Sequence, residues 1–151
     1  MPLISVTRLR IRSVRFLPLF ARQAFLSLRQ ARQARGFLGG ALSAERRWTF
    51  WTVTSWDGEA SMRAFMVAGS HGAAMTRLAE WCDEASVVHW VQADAILPSL
   101  AEADQRMRQI GRPSRVRHPS QFHANLSYEP PRMTRALPIQ PARPERRPAK
   151  L

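Results

Sequence analysis

The chain has 151 residues, enough for one domain with a real core and too few for two ordinary ones. Its hydrophobic share is 45%, and no apolar run approaches the ~20 residues of a membrane-spanning helix. A single cysteine, Cys82, excludes an internal disulfide and a metal centre built from cysteine, which fits a reducing cytoplasm. The net charge of +12 is unevenly placed. Residues 1–47 carry ten arginines against Glu45 (+9), residues 48–111 are acidic (−4), and residues 112–151 are basic again (+7). Such flanks can neutralise phosphates or meet anionic lipid. Yet 22 of the 23 basic residues are Arg, and no nucleic-acid motif accompanies them, so nucleic acid is not the expected partner.

The Arg-rich, acid-free first 35 residues have the composition of a targeting presequence. "LISVTRLRIR" argues otherwise, because it has the period of a strand: Leu3, Ser5, Thr7, Leu9 and Ile11 on one face, Ile4, Val6, Arg8, Arg10 and Arg12 on the other. The period then changes. Leu17, Phe20, Ala21, Ala24, Phe25, Leu28 and Ala31 recur at helical spacing, with Pro18 in a tolerant first turn and Gly36 placed to end the helix. "GFLGGALSAE" is a second strand and "WTFWTVTSW" a third. In the third, Trp48, Phe50, Thr52, Thr54 and Trp56 share one face, and Thr49, Trp51, Val53 and Ser55 the other. Large rings on both faces require a cover on each side: helices on one, a partner or ligand on the other.

Asp57 is placed to cap a short helix with Met62, Phe65 and Met66 on its buried stripe. Gly69 and Ser70 interrupt it, and "HGAAMTRLAEWC" restarts a helix with Ala74, Met75, Leu78 and Cys82 inward. "ASVVHWVQ" is the fourth strand, and the acids Asp83 and Glu84 read as the turn before it. Strand, helix, strand, strand, helix, strand is the split arrangement of an α+β, ferredoxin-like domain: an antiparallel sheet with helices on one face. Ser99 and Glu102 form a capping box for a last helix, expected at the rim. The domain is thus expected over residues 1–111, followed by a Pro/Arg-rich C-terminal tail over 112–151 that is anchored as far as "VRHPSQFHANLSY".

"TFWTVTSW", the acid-bearing turn after it, "MRAF" and "SHGAAMTRLAEWCDEASVVHW" carry a family resemblance over about residues 3–92. The chain resembles the dimeric α+β barrel superfamily, the antibiotic biosynthesis monooxygenase-like proteins, and especially a branch of uncharacterised bacterial proteins related to spheroidene monooxygenase. The resemblance implies a homodimer in which two ferredoxin-like sheets pack across a twofold axis. Each subunit then keeps a pocket between sheet and helices that suits a planar aromatic or polyene molecule. It also implies pocket-lining roles for Thr7, Trp51, Trp56, Phe65, Met75 and His89. Haem-degrading relatives carry Asn, Trp and a His ligand where this chain has Thr7, Phe65 and Met75, so haem degradation of that type is not expected. The cofactor is either none or haem.

His71 is the candidate for chemistry, as a general base or an axial haem ligand; its plain reading is a partly exposed histidine at a helical break. His89 reads plainly as a satisfied core or interface residue. His118 and His123 have no nearby Cys or carboxylate, so no metal site is expected. Ser70 beside His71 is no nucleophile and base pair, because adjacent helical side chains point apart. "GFLGG" lacks the Lys and Ser/Thr of a phosphate loop. Arg8, Arg10 and Arg12 are either a solvated edge or a wall meeting acids of a partner subunit. Three functions follow: a monooxygenase-like enzyme, a non-catalytic dimeric barrel binding a small hydrophobic molecule, or a basic nucleic-acid binder.

Overall fold

The computed structural model describes residues 1–132 and 135–142; the rest of the expected tail, residues 133–134 and 143–151, lies outside the described residues. The elements run β1 (Leu3–Ile11), α1 (Leu17–Gln33), β2 (Phe37–Glu45), β3 (Thr49–Trp56), α2 (Glu59–Val67), α3 (Gly69–Trp81), β4 (Cys82–Val91), α4 (Leu100–Ile110), β5 (Arg112–Pro113) and β6 (Leu137–Ile139). They form one sheet in the order β5-β4-β1-β3-β2-β6, antiparallel at every pairing. The four inner strands, in the order 4-1-3-2, are the ferredoxin-like arrangement, with α1, α2 and α3 on one face.

Alternation in the two central strands decides the layering. Leu3 and Trp56 enter a core with Ala31, Phe37 and Met62 on the helical face, while Ile4, Val6, Trp51 and Val53 point to the opposite face. There they meet Ala103 and Met107 of α4, both fully buried, together with Tyr128. Helix α4 therefore packs on the second face rather than at the rim. Its capping box is in place, with the Ser99 hydroxyl accepting from the Glu102 amide at 3.1 Å.

Two short segments beyond residue 111 also join the sheet. Arg112 and Pro113 pair with β4, Leu137–Ile139 pair with β2, and Phe122, Leu126 and Tyr128 pack over the face that carries Trp51. Both flanks of the inner sheet thus end on two- or three-residue strands containing proline, a composition that resists pairing with another chain. Trp51 meets Tyr128 edge to face at 6.1 Å. Because the chain itself covers both aromatic faces of β3, those faces do not call for a partner subunit.

Several local expectations shift for identifiable reasons. Trp48 does not extend β3. It lies in the turn after β2, at φ 56° and 43% exposed. The buried stripe of α1 is narrower than its apolar residues suggest, with Phe20 and Ala31 inward and Phe25 64% exposed. Asp57 does not cap α2, whose N-cap is Gly58; instead the Asp57 amide donates to the Gly36 carbonyl at 2.8 Å. Gly36 itself is at φ 81°, the left-handed turn that ends α1. β4 starts at Cys82, so Asp83 and Glu84 are strand residues rather than a turn.

That last shift explains the arginines of β1. Arg8 donates to Glu84 at 2.6 Å with both side chains nearly fully buried, Arg10 reaches Asp83 and Glu84, and Arg12 reaches Glu80. The acids do come from the middle segment, but from the same chain. The Ser120 hydroxyl donates to the other Glu84 oxygen at 2.7 Å, and the Arg8 guanidinium lies 3.6 Å from the Tyr128 ring centroid. Burial works against the Glu84 carboxylate, but the Ser120 hydroxyl with Arg8 and Arg10 outweighs it and holds its carboxyl below the usual range.

Glu84→Ala leaves Arg8 buried without its counter-charge and is expected to cost about 3–5 kcal/mol in denaturant unfolding; Arg8→Met with Glu84→Leu, which removes both charges, costs much less. Equal losses would mean that the pair is not coupled. Removing residues 99–151 uncovers Ile4, Val6, Trp51 and Val88 and is expected to raise the mass measured by light scattering relative to the full chain. A truncated chain that stays soluble at an unchanged mass contradicts the assigned cover.

Candidate functional site

Between the sheet and helices α1–α3 lies a cavity of ≈ 140 Å³. Its floor follows from strand register. Ser5 stands between Thr54 and His89 on the neighbouring strands, and Thr7 between Thr52 and Val87, so two polar rows cross the sheet side by side. The Trp56 indole N–H donates to the Thr54 hydroxyl at 3.0 Å, which fixes the ring at one end of the floor. The roof is Phe20, Gln23, Ala24 and Leu28 of α1, Met62, Phe65 and Met66 of α2, and His71, Ala74 and Leu78 of α3. No charged side chain lines the cavity.

Five of the expected residues meet there: Thr7, Trp56, Phe65, His71 and His89. Trp51 and Met75 do not. Trp51 points to the opposite face, where its indole N–H donates to Glu45 at 3.0 Å. Met75 is 45% exposed because α3 turns Ala74 and Trp81 inward, which leaves the neighbouring position outside. Gln23 and Ser27 line the cavity without having been singled out in the sequence, since a polar residue on an arginine-rich helix carries no periodic signal.

His71 sits in the first turn of α3, with its Nδ1 3.2 Å from the Met66 carbonyl oxygen. A carbonyl only accepts, so Nδ1 carries the proton and Nε2 keeps its lone pair. The imidazole stacks on Phe65 at 4.5 Å, and Phe65 on Trp56 at 5.1 Å. Burial lowers the His71 pKa more than the Met66 bond raises it. His89 is shifted down as well, by burial first and then by Arg112. Its Nε2 is buried with no hydrogen-bond partner, as is Gln23 Oε1. His89 is therefore not the satisfied core histidine of its plain reading.

The cavity approaches the roughly 150 Å³ of an engineered apolar void that holds benzene. One ring fits such a space, whereas a tetrapyrrole does not, so the residues present do not suit haem. Among the described residues, no group of three or more His, Cys, Asp or Glu is placed to hold a metal ion. Cys82 is buried, and its thiol is pushed up to about 12, chiefly by burial, which makes it inert at neutral pH. No described helix is long and apolar enough to cross a membrane.

The two cavity histidines predict an acid-sensitive fold. Both have folded pKa values below the ordinary 6.5, so the unfolded chain binds more protons in that window. Their contribution is complete above pH 6.5 and is lost as pH falls toward the folded values. Melting followed from pH 7.5 to 5 is expected to show a falling Tm, and a double replacement, His71→Asn with His89→Asn, is expected to flatten that slope. An unchanged slope would place the acid sensitivity elsewhere.

No curated protein matches the chain. Among solved structures, it is similar to a protein from Mycobacterium tuberculosis, Rv0793, at 9% identity and TM-score 0.56, covering 62% of this chain and 97% of that one. A conserved protein from Methanosarcina mazei Go1 matches at 11% identity and TM-score 0.55, covering 62% and 94%. A crystal structure named antibiotic biosynthesis monooxygenase matches at 12% identity and TM-score 0.54, covering 61% and 99%. These likenesses establish a shared α+β, ferredoxin-like fold. Residues 25–133, most of the chain, match DUF3291, a domain of unknown function, and the chain belongs to that family.

Proposed function

We propose that the cavity holds a small, neutral, largely apolar single-ring molecule bearing a hydroxyl, and that the protein acts on it in the manner of a monooxygenase. One observation carries this reading. A cavity without charged lining is shared by His71, whose Nε2 keeps its lone pair, and by His89 and Gln23, each with a buried polar atom that has no hydrogen-bond partner. A neutral imidazole nitrogen in an apolar pocket is a suitable base for a ring hydroxyl. The ring seats between Trp56, Phe65 and Leu78, and its hydroxyl donates to His71. Deprotonation raises the electron density of the ring toward dioxygen. In the balanced reaction one oxygen atom enters the ring, and the other leaves as water with two substrate hydrogens. The solved monooxygenase of the same fold supports this direction at the level of fold.

The homodimer implied by the family resemblance belongs to this proposal too, but it has to use a surface other than the Trp51 face, which α4 and Tyr128 already occupy. The nucleic-acid reading loses ground because Arg8, Arg10 and Arg12 are engaged by acids of the same chain.

Incubation with single-ring phenols and hydroquinones under air, followed by oxygen uptake and product mass, tests the reading. Uptake that tracks a product heavier by one oxygen atom and lighter by two hydrogens, and that falls by about 10²-fold or more in His71→Ala, is the expected result. Binding without oxygen uptake in the wild-type protein would leave a non-catalytic binder. No binding of any such ring would remove the cavity from consideration.

A further inference from the structure

Phe65 stands between two spaces. On one side is the cavity, the more enclosed of the two. On the other is a surface groove between α1 and α2, lined by Leu26, Ala60, Ala64 and Ala68 among others. Phe65 is the one side chain that lines both. Beside Phe65, the groove side of α2 carries only the small residues Ala60, Ser61 and Ala64, which leaves the groove open next to the ring. Inward, the ring contacts both Trp56 and His71.

The backbone after Phe65 breaks sharply between two helices. α2 has only nine residues and ends where Ala68 is extended and Gly69 takes φ 53°. One side chain of α1 ties that joint down. Gln30 donates to the Ala68 carbonyl at 2.7 Å and to the Phe65 carbonyl at 3.4 Å, while its oxygen accepts from the His71 amide at 3.0 Å. These bonds lie in part at the exposed surface, where water replaces them at low cost.

We infer that Phe65 is the gate and the size filter of the cavity, and that Gln30 is the latch that keeps it closed. The inference rests on the cavity being a ligand site. With the gate shut, the cavity accepts one ring and excludes two. Displacement of Phe65 joins cavity and groove, and it also unstacks His71, so that access and the position of the base are linked. A second groove adjoins the cavity at Leu28 and Leu42, on the β2 side, and supplies the control.

The test uses phenol and 1-naphthol as one-ring and two-ring probes, with affinity from calorimetry and association rates from stopped flow, on the full chain. The wild-type protein is expected to bind phenol and reject 1-naphthol. Phe65→Ala is expected to bind both, and Gln30→Leu to keep the one-ring limit while phenol associates roughly tenfold faster, since only the open fraction binds. Leu137→Ala, in the second groove and outside the cavity lining, is expected to leave the selectivity unchanged. Phenol binding with the same rate and size limit in the Phe65 and Gln30 variants overturns the gate and leaves the cavity standing, as does a Leu137→Ala variant that admits 1-naphthol when Phe65→Ala does not. Failure of phenol to bind any folded form overturns both. Gln30→Leu keeps the test open should Phe65→Ala not fold.

Discussion

An arginine pointing out of the middle of a sheet has to be matched where it stands, and Arg8 is such a residue. Its partner Glu84 is fully buried on the adjacent strand, and the remaining oxygen of that carboxylate accepts from Ser120. The flat face of the guanidinium lies against Tyr128, whose hydroxyl donates to Asp104 of α4, and Asp104 is bridged to Arg108, which returns to the Tyr128 carbonyl. A buried ion pair adds little stability over apolar residues of the same size, because desolvation consumes most of the Coulombic gain. What it adds here is position. These contacts tie α4 and residues 114–128 to Arg8 and Glu84, and in that position they cover the second face of the sheet. The larger of the two partly enclosed spaces, ≈ 140 Å³ against ≈ 70 Å³ beside Arg8 and Tyr128, lies on the helical face.

The periodic parts of this architecture were open to reading from the sequence. Alternation in β1 and β3 put the right residues on each face, the helical spacing of α1 located it, and the order of elements implied the 4-1-3-2 sheet. The cover of the second face was not readable. Phe122, Leu126 and Tyr128 follow neither a two-residue nor a 3.6-residue period, and they sit among prolines and arginines that dilute any hydrophobic signal. With that cover hidden, Trp51 and the arginines of β1 seemed to need a second subunit. The boundary of β4 had the same root, since two adjacent acids look like a turn unless the buried arginine opposite them is known.

The cavity was legible in part. Trp56, Phe65 and His71 come from three elements whose inward faces periodicity marks, so their convergence follows from the fold. The polar rows on the floor depend on register, which sets Ser5 beside His89 and Thr7 beside Thr52, and a sequence read strand by strand does not fix register. Met75 shows the limit of helical spacing. Ala74 and Met75 are adjacent, either could face inward, and the bulkier one turned outward. That choice itself helps keep the cavity open, because alanine at the inward position fills less of the space beneath α3.

An unfilled cavity with unpartnered polar atoms is a cost that packing alone does not explain. His89 Nε2 and Gln23 Oε1 are each buried without a partner, a situation worth about 1–3 kcal/mol apiece in proteins. Larger side chains at Ala24 or Ala74 would close the space, and apolar ones at Gln23 or His89 would remove the unmet groups. The chain instead keeps small residues in the roof, uncharged polar residues on the floor, and a proton-free nitrogen of His71 at the edge. Local departures from good packing concentrate where a molecule is to be bound. In the function proposed above, the body of a hydroxylated ring would restore the missing apolar contacts and its hydroxyl would supply the proton that His71 Nε2 lacks. A ligand held there would stabilise the folded state by an amount set by its concentration and affinity, and so offset the cost of the unmet groups.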